Sequence, residues 1–221
     1  MNLPKTKELL DLSHTKADKL LGDAEYPFEV LPKIKDFVIE LSKTLPKDEY
    51  TEVSEGVFIA NDAIIDPKAT ILPPTVIGHK TEVRPGAYIR GSALIGDGAV
   101  IGNSTEIKNA IIFDGVQIPH YNYVGDSILG YKSHCGAGVV ASNFKLDHTP
   151  VKLRVGDEVY ETGLRKFGCI LGDFAEIGCN SVLYPGTIVG RNSLVYPLTS
   201  VRGIISENSI LRNDGTIKGR L

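Results

Sequence analysis

An aliphatic residue returns at every sixth position from residue 59: Ile59, Ile65, Ile71, Ile77, Val83, Ile89, Ile95, Ile101 and Ile107. Four residues after each of the first eight stands a small one: Ala63, Ala69, Thr75, Thr81, Ala87, Ala93, Ala99 and Thr105. Two periodic constraints held together over about 48 residues leave few folds open. The pattern continues through Ile112, Ile118, Val124, Leu129, Cys135 and Ala141, with five-residue steps from 107 to 112 and from 124 to 129. After an interruption, Leu171, Ile177, Leu183, Val189, Val195 and Val201 restore the strict six.

Six residues make one short strand and a bend. The aliphatic residue points inward, and the small one sits at a corner with no room for bulk. Glycine often follows the aliphatic position directly (Gly78, Gly96, Gly102, Gly172, Gly178, Gly190), which suits a tight bend. Three hexapeptides close one triangular coil of 18 residues, so the 21 hexapeptides predict about seven coils. At ~4.8 Å per strand the prism is roughly 33 Å long. The prediction is a mainly β, single-stranded parallel β-helix. A β-sandwich would alternate with period two and have irregular loops. The usual right-handed crossover rule does not follow from periodicity and leaves the hand of the coil open.

The flanks differ. Residues 1–55 carry helical patterns: Leu9, Leu10, Leu12, Leu20 and Leu21 among charges, then Val30, Ile34, Phe37, Val38 and Leu41 at helical spacing. An open β-helix end exposes apolar side chains and strand edges, so this segment is expected to cap the first coil or brace a neighbour. The β-helix is expected over 56–205, with a polar loop inserted at 142–170 and a tail at 206–221. Within the insertion, residues 151–162 predict a small hairpin around Gly156-Asp157.

Composition narrows function. At 42% hydrophobic and 23% charged residues, the chain is not of a disordered class. A net charge of −3 and a pI near 6.0 give no reason to expect nucleic acid. No apolar run of 18 residues is present, so no membrane span is expected, and Met1-Asn2-Leu3-Pro4-Lys5 has no signal-like core, so a cytoplasmic protein is expected. Cys135, Cys169 and Cys179 lack metal-ligand spacing and read as reduced thiols.

Stacking arithmetic locates chemistry. Ile89, Ile107, Val124 and Ala141, separated by 18, 17 and 17 residues, should share one face of successive coils. The residue after each points outward, so Arg90 should lie directly below Lys108. Two stacked cations suit a phosphate or carboxylate; the plainer alternative is two solvated charges splayed apart. His120, with Tyr123, falls on the next coil near Lys108. A neutral imidazole can serve as a general base, although a lone histidine is more often structural. A metal site made of His120, His134 and His148 is a further alternative.

The ordered set Gly102-Asn103, Glu106-Ile107-Lys108, His120-x-x-Tyr123-x-Gly125-Asp126 and Gly136-Ala137-Gly138 resembles the acetyltransferase domain of bifunctional glucosamine-1-phosphate acetyltransferase/uridylyltransferases, and related sugar-1-phosphate nucleotidylyltransferases, over roughly residues 57–205. The resemblance implies a left-handed helix, a homotrimer, acetyl-CoA as co-substrate and an amino-sugar phosphate as acceptor. It also implies roles: His120 as general base; Arg90, Lys108, Tyr123 and Asn143 as acceptor contacts; Ala137 and Cys179 along the CoA groove; no metal. Arg84, in Arg-Pro-Gly-Ala, copies the family's local wording but stands one hexapeptide too early. The family's sugar-binding asparagine aligns with His134, the tyrosine after Asn143 is Phe144, and the glycine-rich stretch carrying a substrate lysine is replaced by an unlike loop at 145–166. The nucleotidylyltransferase domain is not expected in the 57 residues before the repeats, and no phosphate-cradling glycine motif is present. The rival expectation is a non-catalytic trimeric module that binds a sugar phosphate or nucleotide sugar and acts with a nucleotidylyltransferase.

Overall fold

The computed structural model describes residues 2–220. Short parallel strands stack into a three-faced prism, a β-solenoid. The face predicted from the spacing is present: Ile71, Ile89, Ile107, Val124, Ala141, Leu183 and Val201 follow one another in register up the stack. A second face runs from Ile64–Ile65 through Gln117–His120 and His134–Cys135 to Ser209–Leu211. The third runs from Val57–Ala60 to Ile204–Ile205. The inward aliphatics are almost wholly buried except Ile65 and Ile71 near the first coil, which are partly so. The prism extends past 205: Ser209–Leu211 is its last parallel strand, and Ile217–Gly219 pairs antiparallel with it.

The corners differ from expectation in one respect. The left-handed residue is usually the third after the aliphatic position, as at Lys80, Ser104, Asn180 and Asn192 (φ 54°, 53°, 54° and 54°). The glycines directly after the aliphatics are not at positive φ. They serve close approach instead: a Cβ on Gly102 would overlap the Pro119 carbonyl of the next coil. From Thr75 onward the small corner residues are buried, and the hydroxyls of Thr81 and Thr105 bond the carbonyls of Gly96 and Ile118, at 2.6 Å for Thr81. A polar side chain is tolerated there because it has a partner.

At the two five-residue steps a corner residue is missing, so Glu106–Ile112 and Tyr123–Leu129 run around the corner as single strands. They stack on each other, Lys108 opposite Gly125 and Ala110 opposite Ser127, which places Asn109 and Asp126 together at the shortened corner. Their φ values are 47° and 50°, a region that Asn and Asp enter more readily than most residues.

The N-terminal segment, expected as a cap, lies along the side of the prism. The Leu9 carbonyl accepts from the Asp173 N–H at 3.0 Å, and the His14 carbonyl from the Asp114 N–H at 3.1 Å. His14 stacks on Tyr131 with centroids 3.5 Å apart. The helix Ile34–Ser42 packs on strands of the third face through buried Ile34 and Val38. Asp48, Glu49 and the strand Tyr50–Ser54, antiparallel to Val57–Ala60, lie at the first coil. The segment thus descends the stack before the repeats climb it. The predicted hairpin forms as Lys152–Val155 and Glu158–Glu161. Its buried residues Val151 and Leu153 face Gly186, and Tyr160 meets Tyr26 edge-on with centroids 6.4 Å apart. Among the described residues no helix is long and apolar enough to cross a membrane.

Candidate functional site

Above the first face lies a cavity of about 360 Å³ lined by Arg90, Lys108, Tyr123, Asn143, Phe144 and Lys166. Four of these, Arg90, Lys108, Tyr123 and Asn143, are the residues for which the family resemblance implies acceptor contact. Register explains their convergence: Arg90 donates its backbone N–H to the Ile107 carbonyl at 2.8 Å, so the two cations stand one coil apart, as expected. They do not face one another unpaired. The Arg90 guanidinium meets Glu106 at 2.6 Å, and the Lys108 ammonium meets Asp126 at 3.3 Å. Hydrogen bonding to Glu106 raises the pKa of Arg90.

Tyr123 folds back over Gly125, where a Cβ would collide with its hydroxyl. Asn143 Nδ2 donates to that hydroxyl at 3.1 Å. Burial raises the Tyr123 pKa, with the Asp126 charge adding to it, so the phenol stays protonated and can donate.

Lys166 was not anticipated from the sequence, and Phe144 and Asp126 were singled out there without a role in the site. The insertion brings a lysine to the pocket after all: Phe144 and Lys166 form an antiparallel bridge at its base, and the Phe167 N–H bonds the Asn143 carbonyl at 2.9 Å. Phe167 is fully buried against Phe28, with centroids 5.5 Å apart. Asp126, 5% exposed, accepts from Lys108, Asn109 and Asn143. Its place in the Gly125-Asp126 motif was the available signal. Three cations against two carboxylates, Glu106 and Asp126, leave one net positive charge, which suits a phosphate.

His120 does not line this cavity. It is exposed on the second face, opposite Asn103, and is three residues from Tyr123, no more than ~10 Å of chain. Its carbonyl accepts from the Gly138 N–H at 3.0 Å, and the Ala137 carbonyl accepts from the Asn180 N–H at 2.8 Å. His120, Ala137 and Cys179 therefore follow one another up a single edge of the prism. Cys179 is exposed and its Sγ lies close to Gly136.

The remaining candidates stand elsewhere. Arg84 is on the second face and pairs with Glu82 at 3.0 Å. His134 is on the same face and pairs with Glu176 at 2.8 Å. His148 lies in the insertion, edge-on to Phe144. Among the described residues no group of three or more His, Cys, Asp or Glu could hold a metal ion.

Comparison with known proteins adds the following. A Bifunctional protein GlmU of Methanocaldococcus jannaschii is 31% identical over 221 residues, covering 97% of this chain and 54% of that protein. One of Methanococcus maripaludis is 32% identical over 194 residues, covering 86% and 47%. A Bifunctional sugar-1-phosphate nucleotidylyltransferase/acetyltransferase of Sulfurisphaera tokodaii is 32% identical over 150 residues, covering 68% and 37%. The chain spans about half or less of the length of these relatives. Residues 71–205, the greater part of the prism, match the family model described as the GMPPB C-terminal domain, and the chain belongs to that family.

Proposed function

We propose that this chain is an acetyl-CoA-dependent N-acetyltransferase of an amino-sugar phosphate such as glucosamine-1-phosphate, acting as a cytoplasmic homotrimer. The observation that carries the reading is the convergence of Arg90, Lys108 and Lys166 with Tyr123 and Asn143 on one face, next to an edge that bears His120. The names of the relatives support an acetyltransferase, and one of them pairs it with a sugar-1-phosphate activity.

In this reading the three cations hold the acceptor phosphate, and Tyr123 and Asn143 orient the sugar. His120 removes a proton from the 2-amine as its nitrogen attacks the thioester carbonyl carbon. The carbon–sulfur bond breaks, CoA leaves as the thiol and the amide remains. CoA lies along the edge of Ala137 and Cys179, in a groove completed by a neighbouring copy. Backbone N–H groups of the coil stabilise the oxyanion. General-base assistance of this kind contributes typically 10²–10⁴-fold.

A second reading, a non-catalytic sugar-phosphate module, is favoured by one observation: Arg90 and Lys108 already hold carboxylates of their own chain. Thermal stabilisation separates the two. A ligand at about 100 times its Kd adds roughly 2.7 kcal/mol. The transferase reading requires stabilisation by CoA and by glucosamine-1-phosphate separately. A shift with the sugar phosphate and none with CoA selects the module.

A further inference from the structure

The two shortened corners do more than close the coil. Asn109 and Asp126 stack there in left-handed conformation, and their side chains join into one network. Asp126 Oδ1 accepts from Asn109 Nδ2 at 2.9 Å, while Oδ2 accepts from Lys108 Nζ at 3.3 Å and from Asn143 Nδ2. Asn143 Nδ2 also donates to the Tyr123 hydroxyl. Asn109 Nδ2 also donates to the Leu31 carbonyl at 3.2 Å, 78 residues away in the N-terminal segment. Each amide nitrogen has two hydrogens and uses both, and the Asp126 carboxylate is where three side-chain donors meet.

A buried anion in a phosphate pocket is costly by Coulomb's law alone, since it repels the ligand and partly neutralises Lys108. A long lysine without an anchor, however, samples many rotamers and must be ordered by the ligand, which weakens binding. We infer that Asp126 is the positioning residue of the acceptor pocket, aiming Lys108 and Asn143, and that Asn109 ties its orientation to the N-terminal segment. This rests on the amino-sugar-phosphate reading above. It gives the side-lying N-terminal segment a part in acceptor binding.

The two physical views predict opposite signs. Asp126→Asn adds one positive charge to the pocket, so a purely electrostatic role predicts tighter phosphate binding. Loss of aim predicts weaker binding. The test is calorimetric binding of glucosamine-1-phosphate, and separately of acetyl-CoA, to the full chain and to Asp126→Asn and Asn109→Gly. Both substitutions suit positive φ, and Asn109→Gly removes the link without adding a clash. The expected result is acceptor affinity weakened roughly tenfold in Asp126→Asn and about threefold in Asn109→Gly, in line with lost hydrogen bonds to a charged and a neutral group. Acetyl-CoA affinity should be unchanged, and in turnover the acceptor KM should rise more than kcat falls. Acceptor binding by Asp126→Asn equal to or tighter than that of the unmodified chain overturns the inference alone. Unchanged binding by Asn109→Gly overturns the link to the N-terminal segment. If the unmodified chain binds no glucosamine-1-phosphate, the inference and the proposed function fall together.

Discussion

Asp173 joins the N-terminal segment to the prism, and its removal gives a prediction that can be worked from contacts. The carboxylate is 2% exposed. It accepts the Asp11 N–H at 2.7 Å, the Tyr131 N–H at 2.9 Å and the Arg191 guanidinium at 2.8 Å. Asp173→Ala deletes all three and leaves Arg191, whose Nε is already buried without a hydrogen-bond partner, without its direct ion pair. Hydrogen bonds to a charged group contribute roughly 1.5–3 kcal/mol each, and the Arg191 side chain, 30% exposed, can be rehydrated. Asp11 is exposed and can recover a water as well, so the net loss is about 3 kcal/mol. For a chain of this size each kcal/mol moves Tm by roughly 2–4 °C, so the expected fall is about 6–12 °C. Thermal unfolding followed by circular dichroism reads it. Amide exchange should accelerate at residues 9–14 first, since the lost bond to Asp11 is the side-chain tie of that stretch. A Tm within about 2 °C of the unmodified chain, with unchanged exchange at residues 9–14, would refute the assignment of Asp173 as a latch.

Three other outcomes follow from the same geometry. Gly102→Ala drives a methyl into the Pro119 carbonyl, and with backbone on both sides neither partner can yield; a loss of about 2–4 kcal/mol is expected in denaturant unfolding, and a loss below 0.5 contradicts the close-approach account. Burial pushes the Cys169 thiol up to about 12 and the Cys135 thiol well above its ordinary value, so both stay protonated at pH 8; one thiol per chain, Cys179, should react rapidly with a disulfide reagent, and saturating acetyl-CoA, which has no free thiol to consume the reagent, should protect it. Lys166→Ala should weaken glucosamine-1-phosphate binding roughly tenfold and leave CoA binding unchanged, as calorimetry of both ligands would show.

The prism was legible because its repeat is local. Each aliphatic residue packs on residues about 18 positions away, so period, face and register all appear as arithmetic, and the stacking of Arg90 with Lys108 followed from it. The five-residue steps were visible too, although their effect was not: shortening a corner brings Asn109 and Asp126 into contact, and only their side-chain bonds reveal that. Lys166 was hidden because its position depends on a bridge to Phe144 across 21 intervening residues of the insertion and on Phe167 packing against Phe28, contacts with no period. The spacing of Val30, Ile34 and Val38 marked a buried helical stripe but not the surface that buries it. That surface turned out to be the side of the stack, where Leu31 and Asp11 find partners 78 and 162 residues distant.

Under the proposed function, His120 assists acetyl transfer to a sugar amine. The most direct test is the appearance of N-acetylated product from acetyl-CoA and glucosamine-1-phosphate, compared between the unmodified chain and His120→Ala. Turnover by the former and a kcat lowered roughly 10²–10⁴-fold in the latter are expected, with both ligands still bound. Equal rates would contradict the role of His120, and no acetylated product from this or any other hexosamine phosphate would contradict the transferase itself.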